Sequence, residues 1–197
     1  MRSSWSATLS RAVILSLVVG IGIASAQSSP SRRDAQPQPP PDTGEYDFVL
    51  QAAMSNMAEI QLGHLATKNA QRADVKKFAQ MMIDDHLKAQ QQLADAAYGE
   101  GIRWPIRLDD SHRQVQQRLS KLSDEQFDRE YMQAMVDWHR DVEKMLAARP
   151  TGGAAKSDQA SLATKVNQWA AKTLPEVRAH LKEAEQVNGE VSKGASH

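Results

Sequence analysis

Apolar residues recur every three to four positions along most of the chain beyond residue 45, which is the spacing of one face of an α-helix. Between residues 46 and 98 the chain has no proline and a single glycine, Gly63. One helix over this stretch would be about 80 Å long. The polar segment at residues 68–74 therefore predicts a turn between two helices.

The later part of the chain predicts further helices. Glycines and a proline between residues 99 and 105 end the second helix, and residues 109–121 predict a short one. A capping-box pattern at residues 123–126 predicts the start of a third long helix, which ends near Arg149. A fourth runs from about residue 160 to residues 188–189 and contains Pro175.

No segment alternates apolar and polar residues over the length of a strand, so the fold class is all-α. Four long helices with mostly short loops predict an antiparallel up-down four-helix bundle at residues 45–190. The short extra helix lies between the second and third long helices. Residues 191–197 are predicted to form a flexible tail.

The N-terminus has the pattern of a secretory signal peptide at residues 1–26. Arg2 and Arg11 precede or border an apolar run at residues 12–23, and Ala24-Ser25-Ala26 matches a cleavage site. The run is about 18 Å long as a helix, against roughly 30 Å for a bilayer core. An uncleaved anchor is the alternative. Residues 27–44 are rich in Pro, Gln and Ser and predict a disordered linker.

These features predict an exported bacterial protein, periplasmic or extracellular, with no transmembrane segment after cleavage. The chain has 24 basic and 24 acidic residues and no cysteine. This balance argues against a nucleic-acid partner, and the absence of cysteine excludes disulfides and thiolate chemistry. No phosphate loop, Gly-x-Ser-x-Gly or His-Glu-x-x-His motif occurs. The sequence thus predicts no catalytic residue and favours a non-enzymatic protein, and it leaves the protein partner unidentified.

Four polar residues interrupt the apolar stripes, one on each long helix: Glu59, His86, His139 and His180. Burying an isolated carboxylate or charged imidazole costs several kcal/mol of free energy, so these four groups need partners. With alternating helix directions, all four lie about 15–23 Å from one end of the bundle.

Three imidazoles and a carboxylate suit one divalent transition metal such as Zn, Fe, Mn or Cu. Three nearby acids are candidates for orienting the ring N–H groups of these ligands: Asp85, Asp137 and Glu176. The alternative hypothesis is a purely structural layer of buried polar groups, inside a non-enzymatic envelope structural or protein-interaction module.

Several motifs resemble, in order, the exported domain-of-unknown-function family numbered 4142. They are FVLQAA at residues 48–53, EIQLG at 59–63, VKKFAQMMIDDH at 75–86, FDREYM at 127–132, His139 and LPEVRAHL at 174–181. The resemblance covers roughly residues 46–188. It implies export and a ferritin-like four-helix bundle, and it implies no established activity.

Ferritin-like proteins often hold two metals through Glu-x-x-His pairs. In this chain the residues three before the candidate histidines are Ile83, Val136 and Val177. The sequence therefore favours a site for one metal ion over a di-iron centre.

Overall fold

The computed structural model describes residues 43–150 and 160–194, and these residues are helical with no strand among them. The predicted all-α class is confirmed. The helices are α1 (Thr43–Asn69), α2 (Ala73–Ala96), α3 (Asp110–Leu119), α4 (Asp124–Ala147) and α5 (Leu162–Gly194). The predicted signal peptide, and the linker up to residue 42, lie outside the described residues. None of the five helices has both the length and the apolar character needed to cross a membrane.

Two details at the helix ends differ from the sequence prediction. Helix α5 continues to Gly194 with Val191 buried in the core, so residues 191–194 belong to the bundle and not to a tail. At the start of α4, the Ser123 hydroxyl pairs with the Asp124 carboxylate and makes no capping bond. The predicted capping box is therefore absent.

The four long helices pack around a shared core, in which two clusters of buried apolar residues can be distinguished. The first contains Leu62 and Phe78, and the second contains Val49 and Leu93. Along α1, α2, α4 and α5 alike, one stretch of the helix serves the first cluster and another serves the second. The polar residue predicted on each helix lies between these two stretches.

The predicted alternation of helix directions is wrong for both α4 and α5. Glu45, near the start of α1, pairs with Arg149 just beyond the end of α4, while Glu59 further along α1 lies beside His139 earlier in α4. These two helices are therefore antiparallel. In the same way, α2 is antiparallel to α5, because Ala89 contacts Trp169 and Asp85 contacts His180. The short turn between α1 and α2 makes these two helices antiparallel as well. Therefore α2 and α4 run in the same direction.

A long connection at residues 97–123 explains this arrangement. The Tyr46 hydroxyl accepts a hydrogen bond from the Arg103 N–H at 2.8 Å, near the start of α1. Further on, the Gln116 side chain donates to Gln61 at 2.9 Å. The connection thus travels along α1 from one end of the bundle to the other, where a short loop would have reversed the chain at once.

A buried carboxylate secures the turn between α1 and α2. Asp128 of α4 is fully buried and accepts hydrogen bonds from the backbone N–H groups of Gln71 at 3.0 Å and Arg72 at 2.9 Å. Both N–H groups lie just before the first residue of α2, where the positive end of the helix dipole favours a carboxylate. Asp128 therefore connects α4 to the turn between α1 and α2, at the end of the bundle distant from the N-terminus of α1.

Gly63 of α1 lies in close contact with α2. A Cβ atom added there would lie 2.7 Å from Cγ1 of Ile83 and 3.0 Å from the carbonyl oxygen of Ala79. The second atom belongs to the backbone and cannot move aside cheaply. At Gly189 of α5, by contrast, an added Cβ would have no neighbour within 4 Å.

We expect Gly63→Ala to lower the free energy of unfolding by about 1–2 kcal/mol, since overpacking exceeds the gain in helix propensity. Gly189→Ala is the matched control and should raise it by about 0.5–1 kcal/mol. Urea unfolding followed by circular dichroism measures both. A stabilised Gly63→Ala protein would show that the two helices are not in such close contact.

Candidate metal centre

The four polar residues predicted from the stripes meet in the middle of the bundle. Glu59 comes from α1, His86 from α2, His139 from α4 and His180 from α5, and their exposed fractions are 1%, 5%, 1% and 7%. The three histidine ring centroids lie 5.5–5.8 Å apart. One nitrogen from each ring can be chosen so that all three lie within 4.8 Å of one another.

Glu59 lies against two of these rings. Its Oε2 atom is 3.1 Å from Nε2 of His86 and 3.4 Å from Nε2 of His139. Both distances are in the range of an ion pair, yet none of the three atoms is aligned for a hydrogen bond. The carboxylate oxygen and the two ring nitrogens are therefore close enough to pair by charge, without an aligned hydrogen bond between them.

The opposite nitrogens of His86 and His139 are held by hydrogen bonds. His86 Nδ1 is 2.9 Å from Oδ1 of Asn56, whose own amide nitrogen donates to Gln90 at 3.2 Å. His139 Nδ1 is 2.9 Å from the carbonyl oxygen of Met135. Both oxygens can only accept, so each Nδ1 carries the proton when the ring is neutral. The neutral ring then has its lone pair on Nε2.

His180 is held in the reverse orientation. Its Nε2 is 3.0 Å from Oδ2 of Asp85, a carboxylate that also can only accept when ionised. The lone pair of the neutral ring is then on Nδ1, which is buried and has no hydrogen-bond partner. Six buried side-chain atoms of the described residues share this condition, and four of them belong to the cluster: Glu59 Oε2, His86 Nε2, His139 Nε2 and His180 Nδ1; the other two are the hydroxyl oxygens of Tyr131 and Thr173.

The acids expected to orient the rings are placed differently from the sequence prediction. Asp85 contacts His180 of α5 and not the ring of its neighbour His86. Asp137 is exposed and accepts a hydrogen bond from Gln133, so its expected role is wrong. Glu176 is partly exposed and pairs with Lys88 at 3.9 Å, so it does not orient His180 either.

Sequence reasoning missed the groups that hold His86 and His139. Asn56 lies three residues before Glu59 on the same helix face, and this spacing is a signal that was available. The Met135 carbonyl oxygen has no sequence signal, because every residue carries one.

The pKa of His86 shifts in the opposite direction from the pKa values of His139 and His180. Burial acts to raise the pKa of Glu59, but the imidazoles of His139 and His86 outweigh it and hold the pKa at about 2. Burial acts to lower the pKa of His86, and the Glu59 carboxylate reverses this and raises it. Burial lowers the pKa of His139 and that of His180.

An all-helical bundle with a buried cluster of three histidines and one carboxylate is the class of protein that the fold and the site define. The chain belongs to the family described as Domain of unknown function (DUF4142), whose model matches residues 30–187. The resemblance noted in the sequence is thereby confirmed. Searches of curated proteins and of solved structures give no match.

The pKa shifts predict how Glu59→Gln changes the stability of the metal-free protein with pH. The raised pKa of His86 contributes stability that is present below its unfolded value of 6.5 and lost as pH rises through the folded pKa. The lowered pKa of Glu59 contributes stability above 4.5 that is lost as pH falls toward about 2. Glu59→Gln removes both contributions.

We therefore expect the wild-type advantage in unfolding free energy over Glu59→Gln to grow as pH falls from 7.5 to 5.5, and to shrink below pH 4.5 (about the unfolded pKa of a glutamate). Urea unfolding in the presence of a chelator, measured across this pH range, provides the test. An advantage that does not change between pH 7.5 and 5.5 would contradict the proposed coupling of Glu59 to His86.

Proposed function

We propose that this protein binds one divalent transition-metal ion through Glu59, His86, His139 and His180. The observation that carries the proposal is the set of four buried ligand-type atoms without hydrogen-bond partners, on three histidines that lie close together and on a glutamate that is 3.1 and 3.4 Å from two of them. Leaving buried polar atoms unpaired costs about 1–3 kcal/mol each. A metal ion would satisfy all four at once.

The outer hydrogen bonds support this proposal. Metal-ligating histidines usually donate their second N–H to a carboxylate, a carbonyl or a similar acceptor, which fixes the tautomer and the ring orientation. All three histidines make such a bond: His86 to Asn56, His139 to Met135 and His180 to Asp85. The rings are thus oriented in advance for binding.

The distances are also suitable. Four ligands at a metal–nitrogen distance of about 2.0–2.1 Å in a tetrahedron lie about 3.4 Å from one another. Glu59 is already at 3.1 and 3.4 Å from two ring nitrogens. Since the histidine nitrogens lie within 4.8 Å of one another, each needs to move inward by about 0.8 Å or less to reach that separation around a common ion.

The donor set favours Zn²⁺, Fe²⁺, Mn²⁺ or Cu²⁺, because imidazole and carboxylate suit these ions in type. A single ion is favoured over two, since Glu59 is the one carboxylate in contact with the rings at the centre of the described cluster. The residues three before the histidines are Ile83, Val136 and Val177, which cannot supply further carboxylates.

We also infer that the bundle is ferritin-like. Four long helices with one long crossover connection are the arrangement of that group, and residues 97–123 form such a crossover here. Metal sites in these bundles are built from inward-facing side chains on facing helices, as the four candidate ligands are.

A structural role for the polar layer is the second candidate. The 3.1 Å contact between Glu59 and His86, with the pKa of Glu59 lowered and that of His86 raised, favours a buried ion pair that needs no metal. In that case the protein would serve as an envelope structural or interaction module. Metal binding separates the two hypotheses.

Titration of the chelator-treated protein with Zn²⁺, anaerobic Fe²⁺, Mn²⁺ and Cu²⁺ in a calorimeter tests the metal proposal. We expect one ion per chain for at least one metal, with a raised thermal midpoint because the ion binds the folded state alone. The double variant His86→Gln, His139→Gln should bind at least about 100-fold more weakly, since it removes two ligands.

The matched control is His64→Gln, because His64 is an exposed histidine of α1. It should bind metal as the wild type does. Failure of all four ions to bind, or binding that the double variant leaves unchanged, would contradict the metal proposal and leave the structural layer.

We propose, in addition, that the protein is exported and cleaved after Ala26. The support is the charged start, the apolar run and the Ala24-Ser25-Ala26 pattern in the sequence. Expression of the full chain in a bacterium, followed by cell fractionation and N-terminal sequencing, should yield a protein that begins at Gln27 outside the cytoplasm. A chain that keeps its first 26 residues would contradict cleavage and favour an anchor.

A further inference from the structure

A small cavity lies beside three of the proposed metal ligands, Glu59, His86 and His180. Its volume is about 20 Å³, and His86, His180 and Thr173 are among the residues that line it. A space of this size holds about one water-sized group. It is therefore large enough for a ligand of one or two heavy atoms and too small for an organic substrate.

The space exists because small residues face each other across the bundle. Ala52 of α1 and Ala89 of α2 both line the cavity and are both buried. Larger side chains at either place would fill it. The remaining wall is largely apolar and includes Trp169 and Val177.

Thr173 contributes to the cavity wall a hydroxyl that is available for a hydrogen bond. Its side chain is 6% exposed, and its Oγ1 atom is buried and has no hydrogen-bond partner. Helical threonines commonly bond to a carbonyl oxygen of the preceding turn, and Thr173 does not. The indole N–H of Trp169 is unable to take this role, because it donates to the Ala89 carbonyl oxygen at 3.2 Å.

We infer that the bound metal ion keeps one coordination position open toward this cavity, and that a ligand of one or two heavy atoms binds there with a hydrogen bond from Thr173. This inference rests on the proposed metal site. Four protein ligands leave room for a fifth, since first-row metals readily expand beyond four-coordination. The ligand class is water or a diatomic molecule that carries partial negative charge when bound.

Nitric oxide binding to the Fe²⁺-loaded protein, followed anaerobically by visible absorption and electron paramagnetic resonance, tests the inference. We expect wild-type protein to form an iron–nitrosyl complex. Thr173→Val keeps the shape and removes the hydroxyl, and should weaken nitric oxide binding about five- to tenfold. Thr173→Ser keeps the hydroxyl and should stay within about twofold of the wild type.

Two further variants complete the design. Thr164→Val is the matched control on the same helix, because the Thr164 hydroxyl lies beside Ser161 and outside the cavity lining. It should bind nitric oxide as the wild type does. Ala52→Val adds volume to the cavity wall, and should retain Fe²⁺ while losing most nitric oxide binding.

The outcomes separate the two proposals. If Fe²⁺ binds but no nitrosyl complex forms, or if Thr173→Val binds nitric oxide as tightly as the wild type, the open position is overturned and the metal site stands. If Fe²⁺ does not bind, this inference is overturned, and the titrations with the other three ions decide the metal proposal.

Discussion

The burial of one carboxylate among three imidazoles is the interaction on which this structure depends. Moving a carboxylate from water into the protein interior costs several kcal/mol of free energy, even after the surrounding protein relaxes. Glu59 is 1% exposed, and its Oε2 atom is within 3.1 and 3.4 Å of two ring nitrogens. Positive charge on a ring, or on a metal ion at the same place, compensates this cost. Such a charge therefore stabilises the core.

The rest of the bundle is arranged to hold that cluster. The polar layer lies between two apolar clusters, which exclude water from both sides. Each ring is fixed from behind by an acceptor on α1, α4 or α2, namely Asn56, the Met135 carbonyl oxygen and Asp85. These bonds decide which nitrogen of each ring faces the centre, so the chemistry of the site is set by groups outside it.

The apolar environment has one effect at the proposed metal site and another at the proposed open position. Around Glu59, exclusion of water strengthens every electrostatic interaction. Around Thr173, it leaves a hydroxyl with no competing partner beside a space of about 20 Å³. A metal ion at the centre would connect the two, because His86 and His180 belong to the cluster and also line the cavity.

Periodicity in the sequence was sufficient to predict the helices and the four residues that interrupt their apolar stripes, because both depend on neighbours three or four positions apart. The reversed directions of α4 and α5 depend instead on where residues 97–123 pack, which no local pattern encodes. The same holds for the pairing of Asp85 with His180, 95 positions away, and for the contact of Asp128 with the turn at Gln71. Local spacing determined which side chains are buried and polar. Only the tertiary structure decided which of them meet, because contacts between helices depend on the path of the whole chain.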